Sequence, residues 1–149
     1  MRARDLAWPC TPVQPDATLR EAAELLVRER TPALVVVSKD GSPLAAVPAS
    51  QILAAALPDA VREDSLLLAT GVDASLDRDV RTRTASLRLT DVLPEHLPTP
   101  AVVGPNASLP EMTAVMGRTG SPVVLVVDYD DQPHLIGTVD ATTLLQQYL

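Results

Sequence analysis

The chain carries one unit twice, and that duplication limits the folds open to it. Pro15-Asp16-Ala17-Thr18-Leu19 opens a helical stretch, Thr31-Pro32 closes it, and Ala33-Leu34-Val35-Val36-Val37 follows as an apolar run. Ninety residues on, Pro105-Asn106-Ala107-Ser108-Leu109, Ser121-Pro122 and Val123-Val124-Leu125-Val126-Val127 repeat that order with its spacing intact. A fixed period with the same element order is the mark of two copies of one supersecondary unit, which bury their apolar faces against each other.

Local signals fill in each copy. Thr18-Leu19-Arg20-Glu21 predicts a capping box, in which the threonine hydroxyl and the glutamate carboxylate satisfy each other's orphan amides. Leu19, Ala22, Ala23, Leu26 and Val27 share a helical face, with Glu24 and Arg28 paired opposite. Ser108-Leu109-Pro110-Glu111 repeats the start, and Pro110 is tolerated because the first helical amides have no intrahelical partner. The runs 33–37 and 123–127 are short and β-branched, as in strands buried on both faces. Turns at Ser38-Lys39-Asp40-Gly41 and Asp128-Tyr129-Asp130-Asp131 return the chain to strands 44–47 and 135–139, followed by helices over 50–57 and 141–148. Residues 1–57 and 91–149 thus form two units, each strand, helix, strand, strand, helix. Residues 58–90 form a linker with a short helix around Leu66 and a solvated, charge-alternating stretch that holds Asp77, Arg78, Asp79, Arg81 and Arg83.

Charge and composition exclude several functions. The 149 residues suit one compact domain or two small ones. A net charge of −7 argues against nucleic acid and against an anionic membrane surface. No apolar stretch approaches the roughly 18 residues a spanning helix needs, so direct membrane insertion is not expected. Cys10 is the only cysteine, and no secretory signal opens the sequence, which points to a cytoplasmic protein. Cys10, His96 and His134 lie too far apart in sequence for a metal site or a Cys–His nucleophile, and Cys10 reads as a small, partly buried hydrophobe. A calcium loop starting at Asp128 fails because Pro133 and Val139 occupy the places of its glycine and glutamate. No phosphate loop, catalytic triad or carboxylate pair is evident, so no enzyme is expected. Trp8, the only tryptophan, is placed to dock the N-terminal arm on the pair or on a second chain.

A β-α-β-β-α unit present twice resembles the tandem cystathionine-β-synthase (CBS) pair, or Bateman module. The resemblance rests on Asp5-Leu6 and Asp91-Val92, the Pro-Asp-Ala-Thr-Leu helix start, the Thr/Ser-Pro strand start and Leu135-Ile136-Gly137-Thr138-Val139. It implies an α+β fold of two units about a pseudo-two-fold axis. Within the family the chain is most similar to stand-alone actinobacterial pairs that accompany membrane anion transporters. Such pairs bind adenosine-containing ligands between the units and regulate a partner protein. The resemblance therefore implies a homodimer, an effector protein such as a membrane anion transporter, and an adenosine derivative (AMP, ATP or S-adenosylmethionine) as ligand.

The family signature sets a glycine, two apolar residues, a Thr or Ser near phosphate, two variable residues and an Asp on the ribose. Here Ala45, Pro48 and Gln51 stand at those places in the first copy, and Gly137, Asp140 and Thr143 in the second. Both ribose carboxylates are missing. A carboxylate about 5 Å from a phosphate costs roughly 3 kcal/mol at an effective dielectric near 20, so Asp140 repels a phosphorylated ligand. As a helix N-cap it stabilises by about 0.5–2 kcal/mol, and that reading is preferred. Carried over from the family, the candidate ligand residues are Thr31, Ala33, Ala45 and Gln51 for the first, uncharged cleft. For the second they are Ser121, Val123, Gly137, Asp140 and Thr143, suited to a neutral or cationic adenosine derivative. The rival reading is a degenerate pair that serves as a dimerisation or assembly scaffold without ligand.

Overall fold

The computed structural model describes residues 1–62 and 74–149; the helix expected around Leu66 lies outside them. Both predicted capping boxes form. Thr18 Oγ1 accepts from the Glu21 amide at 3.1 Å and Glu21 Oε2 from the Thr18 amide at 3.0 Å, starting α2 (Leu19–Glu29), which follows a short α1 (Ala3–Leu6). Arg30 ends α2 in the left-handed region at φ 51°; ninety residues later Gly120 does the same at φ 67°. The apolar face of α2 is rotated from its predicted position: Leu25 is buried and Val27 is 77% exposed. Glu24 accepts from Arg20 rather than Arg28, at 3.1 Å.

Strand β1 (Ala33–Val37) pairs antiparallel with β2 (Pro43–Pro48), which runs into α3 (Ala49–Ala55). After α4 (Asp59–Arg62), the charge-alternating stretch forms a helix, α5 (Ala74–Ser86), packed on α2 rather than a solvated connection. Arg83 there donates to the carbonyls of Ala56 and Ala55 at 3.3 and 3.5 Å, at the C-terminal end of α3 where a cation is favoured. Next come α6 (Leu89–Val92), β3 (Val102–Val103), α7 (Leu109–Thr119), β4 (Val123–Asp128), β5 (His134–Asp140) and α8 (Ala141–Gln147). β4 pairs antiparallel with β5 and parallel with β3. In the first copy the strand matching β3 shrinks to a single bridge between Val13 and Val36. Bulges fall at Val36/Val37 and Val126/Val127, so even the irregularities repeat.

The central strands are buried on both faces, as their composition predicts. Leu34 and Val36 face the helices of their own unit, and Val124 and Val126 do likewise. The alternate residues Ala33, Val35 and Val37 meet Val123, Leu125 and Val127 in a third cluster that joins the units. Each Val or Leu fully buried there contributes roughly 1.5–3 kcal/mol.

Each core takes a short helix from the other end of the chain. Ala3 and Leu6 of α1 sit in the second core, tied by Ala3 N–H to the Ala107 carbonyl at 2.9 Å. Leu89 of α6 fills the first core, with Leu89 N–H bonded to the Ala17 carbonyl at 2.9 Å. The chain therefore crosses between the units twice, over residues 7–13 and 97–103, and these two straps wall the clefts described next.

Candidate functional site

Two clefts lie between the units, and they are symmetry mates. Cleft I, of about 260 Å³, is lined by strap residues Trp8, Pro9 and Cys10, by Glu29, Arg30, Thr31 and Pro32 after α2, and by Thr138 and Asp140 of β5. Cleft II, of about 170 Å³, has Pro98, Thr99 and Pro100, then Thr119, Gly120, Ser121 and Pro122 after α7, and Ala46 and Pro48 of β2 in the matching places. Ala45, Val47, Gln51 and Leu97 complete it. Every lining residue of cleft I has a counterpart in cleft II, so differences in chemistry between them come from the residues at matching places.

The candidate residues regroup accordingly. Thr31 joins Asp140 in cleft I, whereas Ala45 and Gln51 join Ser121 in cleft II. The repeat reveals which residues are equivalent; it does not reveal that the pseudo-two-fold axis sets the helix start of one unit against the strand start of the other. Ala33 and Val123 are buried in the joint core and present only backbone: Thr31 Oγ1 donates to the Ala33 carbonyl at 3.0 Å, and Ser121 Oγ to the Val123 carbonyl at 2.7 Å. The Thr31 oxygen keeps its lone pairs for a ligand, and the Ser121 oxygen, which also accepts from Val123 N–H at 3.4 Å, keeps one.

Asp140 caps α8, accepting on Oδ1 from the Thr143 amide at 2.8 Å. Thr143 thus enters through its amide, and its side chain is not part of the cleft I wall. Pro48 starts α3 with no side-chain cap. Gly137 is required by the strap: Trp8 and Thr138 exchange backbone hydrogen bonds at 2.9 Å each, and a Cβ on Gly137 would stand 2.3 Å from the Trp8 carbonyl oxygen. In cleft II the strap position is Pro98, which has no N–H to give, and Ala45 replaces the glycine.

The two clefts differ most in charge. Cleft I holds Glu29, Arg30 and Asp140; among the described residues cleft II holds none. Glu29 also pins the strap, accepting from Thr11 N–H at 3.2 Å and Thr11 Oγ1 at 2.5 Å. Its charge reaches Cys10, whose thiol is pushed up to about 11, first by burial and then by Glu29, against a hydrogen bond with Thr138. His96 and His134 line neither cleft. Trp8 is marked by sequence as a docking residue and not as a cleft wall, and Glu29 and Arg30 carry no sequence signal of their own, because the signature covers only the return strand and following helix.

A family model described as CBS domain matches residues 3–57. The structure is similar to that of a CBS domain-containing protein of unknown function from Kribbella flavida, with 30% identity, 100% of each chain covered and a TM-score of 0.81. It is also similar to the CBS domain of a CBS domain-containing membrane protein from Sphaerobacter thermophilus, at 24% identity, over 100% of this chain and 88% of the other, with a TM-score of 0.74. CBSX2 of Arabidopsis thaliana, solved in complex with AMP, shares 21% identity over 99% of this chain and 95% of its own, with a TM-score of 0.63. Comparison with curated proteins finds no match.

Proposed function

The chain belongs to the CBS-domain family, and from that premise we propose that it is a non-catalytic regulatory module that binds an adenosine-containing ligand in cleft II and controls a partner protein in trans. Residues 1–57 and 91–149 are the two units, joined by 58–90, with their first short helices exchanged between cores. The observation that carries the ligand assignment is the absence of charge among the described lining of cleft II. Nothing in that lining repels a phosphate, Gln51 can donate to and accept from ribose hydroxyls, and Ala45, Val47 and Leu97 offer apolar surface to a base. The AMP complex of CBSX2 supports the ligand class.

The module acts as a homodimer. Helices α2 and α3 leave Val27 (77% exposed) and Leu53 (75% exposed) beside an apolar groove of about 350 Å³ walled by Ala23, Leu26 and Ile52, a face that a second copy would cover. The effector is a protein such as a membrane anion transporter; the similar domain from Sphaerobacter thermophilus is part of a membrane protein. Among the described residues no helix is long and apolar enough to cross a membrane, so attachment to one would come through that partner. A cytoplasmic setting follows from the same reading.

Pro48 favours a second reading. It removes both a hydroxyl and an amide from the place where a phosphate binds in the family, as a pair kept only as an assembly scaffold would allow. Thermal-shift titration with AMP, ATP, adenosine and S-adenosylmethionine separates the two, because a ligand at 100 times its Kd stabilises the folded state by about 2.7 kcal/mol. A rise in Tm with one of them supports the sensor; no rise at millimolar concentration supports the scaffold.

A further inference from the structure

The geometry points to cleft I as a binding site for a compact organic cation, a quaternary or alkyl ammonium group, held between the Trp8 indole and the carboxylates of Glu29 and Asp140. Three observations carry this. Cleft I is a cavity of about 260 Å³ with the chain's only tryptophan in its wall, and Trp8 is 69% exposed, so packing does not account for so large an apolar side chain there. Tryptophan is the ring that attracts a cation best, within about 6 Å of its face.

The second observation is the charge of the walls. Glu29 and Asp140 come from different units and face one cavity, with Arg30 alone to offset them. Each carboxylate already accepts from the protein: Glu29 from Thr11, Asp140 from the Thr143 amide. Those bonds fix their positions and leave their charge, and an ionised carboxylate has about four acceptor sites. The field is felt within the cleft, since Glu29 helps to hold the Cys10 thiol protonated.

The third is the symmetry mate. Pro98, Thr119 and Pro48 stand in cleft II where Trp8, Glu29 and Asp140 stand in cleft I, so one backbone frame carries the aromatic wall and both carboxylates on one side of the axis and none of them on the other. The same fold therefore offers a neutral cleft and a cation-selective one, and the second assignment does not depend on what binds the first.

Because Trp8 is the only tryptophan, intrinsic fluorescence reports on cleft I directly. The full chain is titrated at constant ionic strength with choline and with 3,3-dimethylbutan-1-ol, its uncharged isostere. Choline is expected to give a saturable change and to bind at least about tenfold tighter than the isostere, with Glu29→Gln and Asp140→Asn each weakening choline about three- to tenfold. Asparagine caps a helix as well as aspartate does, so Asp140→Asn changes charge while keeping α8. Choline titration of Gln51→Ala, a change confined to the lining of cleft II, is expected to match that of the parent chain. Equal binding of choline and its isostere, choline affinity unaltered in both variants, or no saturable response to choline would overturn the assignment, whatever AMP does.

Discussion

The Trp8 carbonyl oxygen lies over Gly137 so closely that a Cβ there would meet it at 2.3 Å. This contact, with the paired backbone bonds to Thr138, closes the first strap onto β5. A methyl group must push the strap away, and overpacking of this kind costs about 1–3 kcal/mol. Gly137→Ala is accordingly expected to lower the urea midpoint by that equivalent and to loosen residues 3–8, read as lost amide protection at Ala3 and Trp8. The reverse exchange in the first unit, Ala45→Gly, opens no strap contact and costs less.

Asp140 has a structural role separable from its charge. Asp140→Ala is expected to destabilise by about 0.5–2 kcal/mol, and Asp140→Asn by far less, because only the first removes the acceptor that the Thr143 amide uses. Asp140→Thr restores a hydroxyl at the family's phosphate position and removes the repulsion, so AMP should gain about tenfold or more at cleft I. Unchanged or weaker AMP binding in that variant, measured by calorimetry, removes the electrostatic argument.

Arg30 holds a left-handed conformation that its counterpart Gly120 adopts without steric cost. Arg30→Gly is expected to stabilise by about 1 kcal/mol, or roughly 2–4 °C in Tm for a chain of this size. A Tm below that of the parent chain would mean that the Arg30 side chain contributes more packing than its backbone costs.

Cys10 gives the fold a pH signature. Its thiol is raised from 9.0 to about 11 by burial and by Glu29. Between those values the unfolded chain has lost a proton that the folded chain keeps, so the contribution is complete below pH 9 and fades as pH climbs toward 11. Cys10→Ala should flatten that alkaline decline. Alkylation by iodoacetamide should stay slow at pH 8 and accelerate only near pH 11, earlier in Glu29→Gln.

Much of this fold was legible because the local signals agree at every level: two capping boxes, two doubly buried strands and one repeat spacing. The exchange of α1 and α6 was not, since a four-residue helix carrying Leu6 or Leu89 fits either core by composition. The charges of α5 dominate its sequence and predict a solvated stretch; its helix rests on packing against α2 and on Arg83 at the end of α3. At the site, Asp140 as an N-cap was readable from residue type alone. The pairing of Gln51 with Ser121 was not, because it is a property of the axis between the units.

The position of a bound adenosine ligand tests the assignment of the two clefts most directly. A crystal structure of the chain soaked with AMP should show the nucleotide in cleft II, its ribose against Gln51 and its phosphate near Ser121, at one molecule per chain, with Gln51→Ala abolishing it. AMP seated in cleft I against Asp140 without a bridging cation would contradict the assignment of the two clefts.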